Sequence, residues 1–196
     1  MTDLFGDGDG APSERADAAR NRARILTAAE ELFAERGAAT VTMEDIARAA
    51  GVGRGTLYRR YPDRAAIATA LLDEHESRLQ EQILRGEPPL GPGAPPAQRL
   101  AAFVTAMVEL LTRHAHLVLG TEVGRSRYAT GAYGFWRTHV RVLADAAGAP
   151  DPDVLADVLL APLAPDLFLH QTAAGVSPER ITAALRDVAV RVLDRG

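Results

Sequence analysis

The chain has no cysteine among its 196 residues, so it forms no disulfide, presents no thiol nucleophile and builds no cysteine-ligated zinc or iron–sulfur site. Lysine is missing too. All 22 basic residues are arginine, a usage that fits a GC-rich genome because both side chains serve on solvated faces. No apolar run approaches the roughly 18 residues that a membrane span requires. The first ten residues lack the basic region and apolar stretch of a secretory signal, which predicts a cytoplasmic protein with no membrane partner. A nucleophile elbow, a phosphate-binding loop and a zinc-protease signature are all missing, so no catalytic residue and no cofactor is assigned. The five histidines suggest no metal site either: His114 and His116, two apart, point in different directions on a helix, unlike an i, i+4 pair. These absences together argue against an enzyme.

Apolar residues make up 47% of the chain and charged residues 24%, enough for one sizeable core or two small ones. The net charge of −4 is spread unevenly. Residues 18–64 hold nine arginines against six acids, a balance of +3, and the remainder holds 13 basic residues against 20 acidic ones. A basic N-terminal block on an acidic body suits a protein that touches phosphate with one end only.

Apolar periodicity predicts an all-α fold. Residues 1–17 read as a disordered arm, poor in apolar residues beyond Leu4 and Phe5. From Ala18, the stripe Ile25, Ala28, Ala29, Leu32 and Phe33 marks an amphipathic helix that ends at Gly37. Thr42 caps a short second helix, with Glu44 and Asp45 in its first turn, and Gly51-Val52-Gly53 interrupts it. A third helix runs from Arg54 or Gly55 to Tyr61, where Pro62 stops it. Asp63 caps a fourth, carrying Ile67, Leu71, Leu72, His75, Leu79 and Ile83 at helical spacing. Five prolines and three glycines then make residues 86–97 a loop. Further helical patterns cover about 97–114, 116–123, 131–147, 152–172 and 178–194, with Pro162 and Pro165 expected to kink or split the fourth of these. Nowhere do β-branched residues alternate with polar ones over a useful length.

The second and third helices, joined by a tight glycine turn, have the pattern by which a helix pair places its second member in the DNA major groove. Ala47 is small where the two must cross closely, and Val52, Leu57 and Tyr61 fill the space beneath. That leaves Arg54, Gly55, Thr56, Tyr58, Arg59 and Arg60 facing outward as DNA-binding candidates. Arginine grips guanine with two bonds or neutralises phosphate, Thr56 can meet a base or a thymine methyl, Tyr58 suits a phosphate, and Gly55 admits close backbone approach.

The runs RILTAAEELFAERG over 24–37 and TMEDIARAAGVGRGTLY over 42–58, followed by Tyr61-Pro62-Asp63-Arg64, resemble the N-terminal domain of the TetR family of bacterial regulators. The resemblance covers about residues 18–76. It implies a three-helix reading domain over 18–64, extending to about 76 with the start of the fourth helix, and a helical ligand-binding and dimerisation domain over 65–196. It implies that Thr42 and Arg64 contact phosphate, and that the partners are a palindromic double-stranded DNA operator, a second copy of the chain and a small apolar or amphipathic effector that releases a repressor from its operator. Gly53 stands where the family often has serine, and Arg59, Arg60 and Arg64 depart from its frequent aromatic-histidine pair and lysine, so the operator sequence does not carry over.

In the C-terminal body, apolar helix faces bear Leu100, Phe103, Val104, Met107, Val108 and Leu111, and then Tyr133, Phe135, Trp136, Val140 and Leu143. A sensor needs some large side chains around a cavity, and Phe103, Met107, Tyr133, Trp136 and Phe168 are the ligand-binding candidates. The last two helical patterns carry Val154, Leu155, Val158, Leu159, Leu163 and Leu167, then Ile181, Leu185, Val188 and Val192. Those faces suit either internal core or a dimer contact, and the resemblance points to a four-helix dimer contact. The competing reading is a DNA-binding regulator without a small-molecule ligand, which a closed, fully packed C-terminal core would favour.

Overall fold

The computed structural model describes residues 10–118 and 131–194, with backbone alone at 10–15 and 116–118. All regular structure among the described residues is helical: α1 (Gly10–Arg36), α2 (Met43–Ala50), α3 (Arg54–Arg60), α4 (Arg64–Arg85), α5 (Pro96–Val118), α6 (Gly131–Ala146), α7 (Pro152–Leu160), α8 (Pro165–Ala173) and α9 (Pro178–Leu193). The chain divides into two compact units, the first ending at Leu71 and the second beginning at Leu72. The division falls inside α4.

In the first unit, α1 begins at Gly10, so the segment 10–17, expected to be disordered, continues the helix. Pro12 lies in the first turn, where no intrahelical bond needs its missing N–H. The remainder of the expected arm, residues 1–9, lies outside the described residues. At the other end Gly37 takes φ 78° and its N–H donates to the Phe33 carbonyl, closing the helix as its position predicted. Ile25, Ala29, Val41, Ile46, Leu57 and Ile67 are buried together, so α1 to α4 each give one face to a single small core. Burying each of the larger aliphatic side chains, valine, leucine or isoleucine, contributes about 1.5–3 kcal/mol, which is how short helices such as α2 and α3 persist.

The second unit has its own core, in which α5 is central and packs most extensively against α9. Phe103, Leu100, Val108 and Val140 lie at its centre, wholly shielded or nearly so. The loop before α5 falls at 86–95 as its prolines require. Pro162 and Pro165 split the expected 152–172 helix into α7 and α8 around a 3-10 turn at Ala161–Leu163. Ser177 caps α9, its hydroxyl accepting from the Arg180 N–H. One boundary differs. No break occurs after residue 114: α5 runs on to Val118, because no glycine or proline interrupts 97–118. The remainder of the expected 116–123 helix lies outside the described residues.

Candidate nucleic-acid interface

The geometry of α2 and α3 follows from local chemistry. The Thr42 hydroxyl accepts from the Asp45 N–H at 3.1 Å and donates to Asp45 Oδ2 at 2.6 Å, while the Thr42 N–H reaches the same carboxylate at 3.1 Å. Those bonds, first of all the one from the Thr42 hydroxyl, hold the Asp45 carboxyl below its ordinary pKa. Gly51 ends α2 at φ 60°, a conformation that strains any side-chain-bearing residue, and a Cβ there would press on the Arg24 guanidinium. Arg24 in turn donates to the Gly51 carbonyl at 3.0 Å, tying α1 to the turn. The N–H groups of Thr56 and Leu57 return to the Gly53 carbonyl, which opens α3 without a side-chain cap.

Leu57 is fully buried and anchors α3, Tyr61 is buried just beyond its end, and Val52 packs partly buried against them. With that face fixed, Arg54, Gly55, Tyr58, Arg59 and Arg60 are exposed and Thr56 is partly so. The structure therefore brings the six α3 candidates onto one short helix with its inner side sealed. Their bonds differ. Arg54 pairs with Glu44 of α2, and the Tyr58 hydroxyl stands 3.5 Å from the same carboxylate. Arg60 reaches the Ala18 carbonyl at 3.3 Å. For Arg59 no bond is recorded among the described residues, leaving its guanidinium available.

Thr42 and Arg64, the two phosphate candidates implied by resemblance, are both engaged inside the protein. Thr42 spends its hydroxyl proton on Asp45, and Arg64 Nη1 lies 2.8, 2.7 and 2.8 Å from the carbonyls of Ala38, Ala39 and Val41. Two participants escaped the sequence reading. Glu44 was assigned only to the first turn of α2, and Arg24 was given no partner. A legible signal for Glu44 was an acid in the first turn of α2, ahead of a helix rich in arginine.

Among the ligand candidates in the second unit, Phe103, Met107, Trp136 and Phe168 are buried in the core and Tyr133 is partly exposed. Phe103 and Trp136 are neighbours, with ring centroids 5.9 Å apart. Tyr133 turns its hydroxyl to Asp157 at 3.0 Å, a carboxylate held below its ordinary pKa mainly by the Arg137 guanidinium. Open grooves of about 230, 410 and 560 Å³ flank α5, with Gln82, Thr105, Glu109, Arg113 and Arg186 among their walls. None of the five ligand candidates lines these three grooves. His114 meets His75 of α4, with Nε2 2.6 Å from Nδ1, so one nitrogen donates and the other accepts. No cluster of three or more metal-ligating side chains occurs among the described residues.

A three-helix unit whose second and third helices form a sealed-back, arginine-faced pair belongs to the helix-turn-helix class of regulatory proteins. Residues 25–71 match the family model described as bacterial regulatory proteins, tetR family, so the first unit is similar to the N-terminal domain of that family. An uncharacterized HTH-type transcriptional regulator of Mycobacterium tuberculosis is 38% identical over 88 residues, which cover 45% of this chain and 42% of that protein. Over nearly the whole chain the fold is like that of NalD, the secondary repressor of the MexAB-OprM multidrug efflux pump in Pseudomonas aeruginosa: TM-score 0.56, 22% identity, 90% of this chain and 98% of that one. The SmeT–triclosan complex is similar to the same degree, with TM-score 0.56, 17% identity and coverage of 87% and 90%.

Proposed function

We propose that the protein is a cytoplasmic, homodimeric transcriptional repressor that binds a palindromic double-stranded DNA operator and is released from it by a small apolar or amphipathic molecule. The observation that carries the reading is the exposed α3 face, where Arg54, Thr56, Tyr58, Arg59 and Arg60 stand over a wholly buried Leu57. That arrangement fixes the reading groups on a rigid element, as base recognition requires. The basic stretch 18–64 on an acidic chain steers the same end toward phosphate. NalD is a repressor and SmeT holds triclosan, which supports a repressor with a small-molecule effector among the folds this chain resembles. The two copies of α3 would enter major grooves about 34–36 Å apart, one helical turn of DNA or somewhat more. Phe103, Met107, Tyr133, Trp136 and Phe168 are proposed to contact the effector.

The test is selection of bound fragments from the source genome, footprinting of the fragments recovered, and their challenge with a panel of small molecules. Two protected half-sites, released by one member of the panel, are expected. A single protected half-site would remove the palindrome and the dimer together. The second reading, a regulator without a small-molecule ligand, is favoured by the close packing of Phe103, Met107, Trp136 and Phe168 in the core. It predicts protected half-sites that no panel member releases.

A further inference from the structure

The connection between α1 and α2, residues 37–42, turns the chain sharply and leaves a run of carbonyls that helix bonding cannot satisfy. Two side chains complete them. Thr40 places its hydroxyl 2.7 Å from the Arg36 carbonyl and 3.0 Å from that of Gly37, and its N–H also donates to Gly37. The carbonyls of Ala38, Ala39 and Val41 all receive Nη1 of Arg64, the first residue of α4, at 2.7–2.8 Å. These are charge-assisted bonds from a partly buried guanidinium that reaches back more than twenty residues along the chain. Immediately after the last of these carbonyls comes Thr42, whose bonds with Asp45 start α2.

We infer that Arg64 is a positioning residue of the DNA-reading unit: it builds the α1–α2 turn, thereby fixes where α2 begins, and through α2 sets the angle at which α3 meets DNA. Its contribution comes through the turn and not through neutralising a phosphate. Arginine differs from lysine here by reach, because Nη1 sits one bond further from the backbone than a lysine ammonium would, and by the fixed plane in which its N–H groups lie. The DNA arm of the inference rests on the function proposed above. The turn arm does not, since it concerns the protein alone.

The experiment compares full-length Arg64→Gln with the wild type. Without DNA, hydrogen exchange is followed by mass spectrometry across 37–46, with thermal unfolding as the check that the variant is folded. With DNA, fluorescence anisotropy measures affinity over a salt series for a genomic fragment selected by the wild-type protein and for a random duplex. Expected are exchange at least about tenfold faster at Thr40 and Thr42, a roughly tenfold loss of affinity for the selected fragment, and a much smaller loss for the random duplex. The slope of log affinity against log salt should stay unchanged for both. A slope shallower by about 0.9, the signature of one lost phosphate contact, would overturn the inference, and so would unchanged exchange in the turn. If Arg64→Gln does not fold, Arg64→Lys serves: a turn role predicts faster exchange at unchanged slope, whereas a phosphate role predicts that lysine leaves both as in the wild type. Should the wild type bind no DNA, the proposed function fails while the exchange result still decides the turn.

Discussion

Glu44 is the residue on which the behaviour of the reading face turns. Its carboxylate holds Arg54 and stands beside the Tyr58 hydroxyl, so the acid occupies groups proposed to engage DNA. An exposed pair of this kind contributes at most about 1 kcal/mol to stability. Its larger effect is on binding, because an anion at the interface repels phosphate and Arg54 must exchange one partner for another. Glu44→Gln is expected to leave thermal unfolding nearly unchanged, to tighten binding to random duplex DNA several-fold at low salt, and to steepen the salt dependence by about 0.9 as Arg54 is freed for phosphate. Weaker binding in anisotropy titrations would mean instead that Glu44 orients Arg54 for its contact. In the second unit, His139 is the residue with the strongest consequence for pH. It is buried with its ring edge-on to Phe103 at 5.3 Å, and burial, aided by the positive charge of Arg99, lowers its pKa from 6.5 to about 4. The folded state therefore favours neutral imidazole. Stability from this group is fully present above pH 6.5 and is lost as pH falls toward 4, because the unfolded chain takes up the proton first. At about 1.4 kcal/mol per pH unit the loss reaches roughly 3 kcal/mol across that window. Urea unfolding of the wild type and of His139→Phe between pH 4 and 7 checks this, since the variant should lose most of the decline in that window.

At the scale of helices, caps and breakers were the most legible part of the chain. Gly37, Thr42, Gly51 and Asp63 each stand at an end that the structure places beside them, because the cap chemistry is local and needs no knowledge of packing. The split at Pro162 and Pro165 was legible for the same reason. The α3 face could also be read, since burying Leu57 dictates which residues of a short helix remain outside. What the local pattern did not carry was partnership at a distance. Arg64 reaches back to residues 38–41, Arg24 crosses to Gly51, and His114 meets His75 from 39 positions away. Pairing of that kind is set by how helices pack, and one sequence does not contain it as a period. The cap of α2 permits a clean test because both halves of its capping box are present. Thr42→Ala should lower the stability of the first unit by about 1 kcal/mol, while Thr42→Ser should restore most of it. Hydrogen exchange of the α2 amides at two temperatures measures the difference, and equal protection in all three proteins would show that packing of Ile46 and Ala47 alone holds the helix.

For the whole molecule the question is how a chain with so short a reading helix gains enough affinity to choose one site in a genome. One α3 offers few base contacts, at about 1–3 kcal/mol for each good bidentate pair, and two copies on one rigid body double the contacts while paying the orientational cost once. A second copy needs a surface. In α7, Val154 and Val158 sit four residues apart, on one side of the helix, and are 58% and 60% exposed; Leu167 of α8 and Val188 of α9 are 38% and 47% exposed. Scattered single apolar residues need no explanation, but an i, i+4 valine pair on the outside of a helix whose inner residues Ala156 and Leu160 are already buried does. Covering that pair, with its neighbours, against a second copy would account for it. The double variant Val154→Glu/Val158→Glu is expected to fold, because neither side chain belongs to the core, and to be monomeric at micromolar concentration, where the proposed function expects the wild type to be dimeric. Sedimentation velocity reads the mass directly. On DNA carrying two half-sites the variant should then bind each half independently and at least about a hundredfold more weakly, with its single-half-site affinity unchanged. A variant that remains dimeric would move the interface off α7, and one that becomes monomeric yet keeps full affinity for the paired site would show that the two reading heads are not joined through this face.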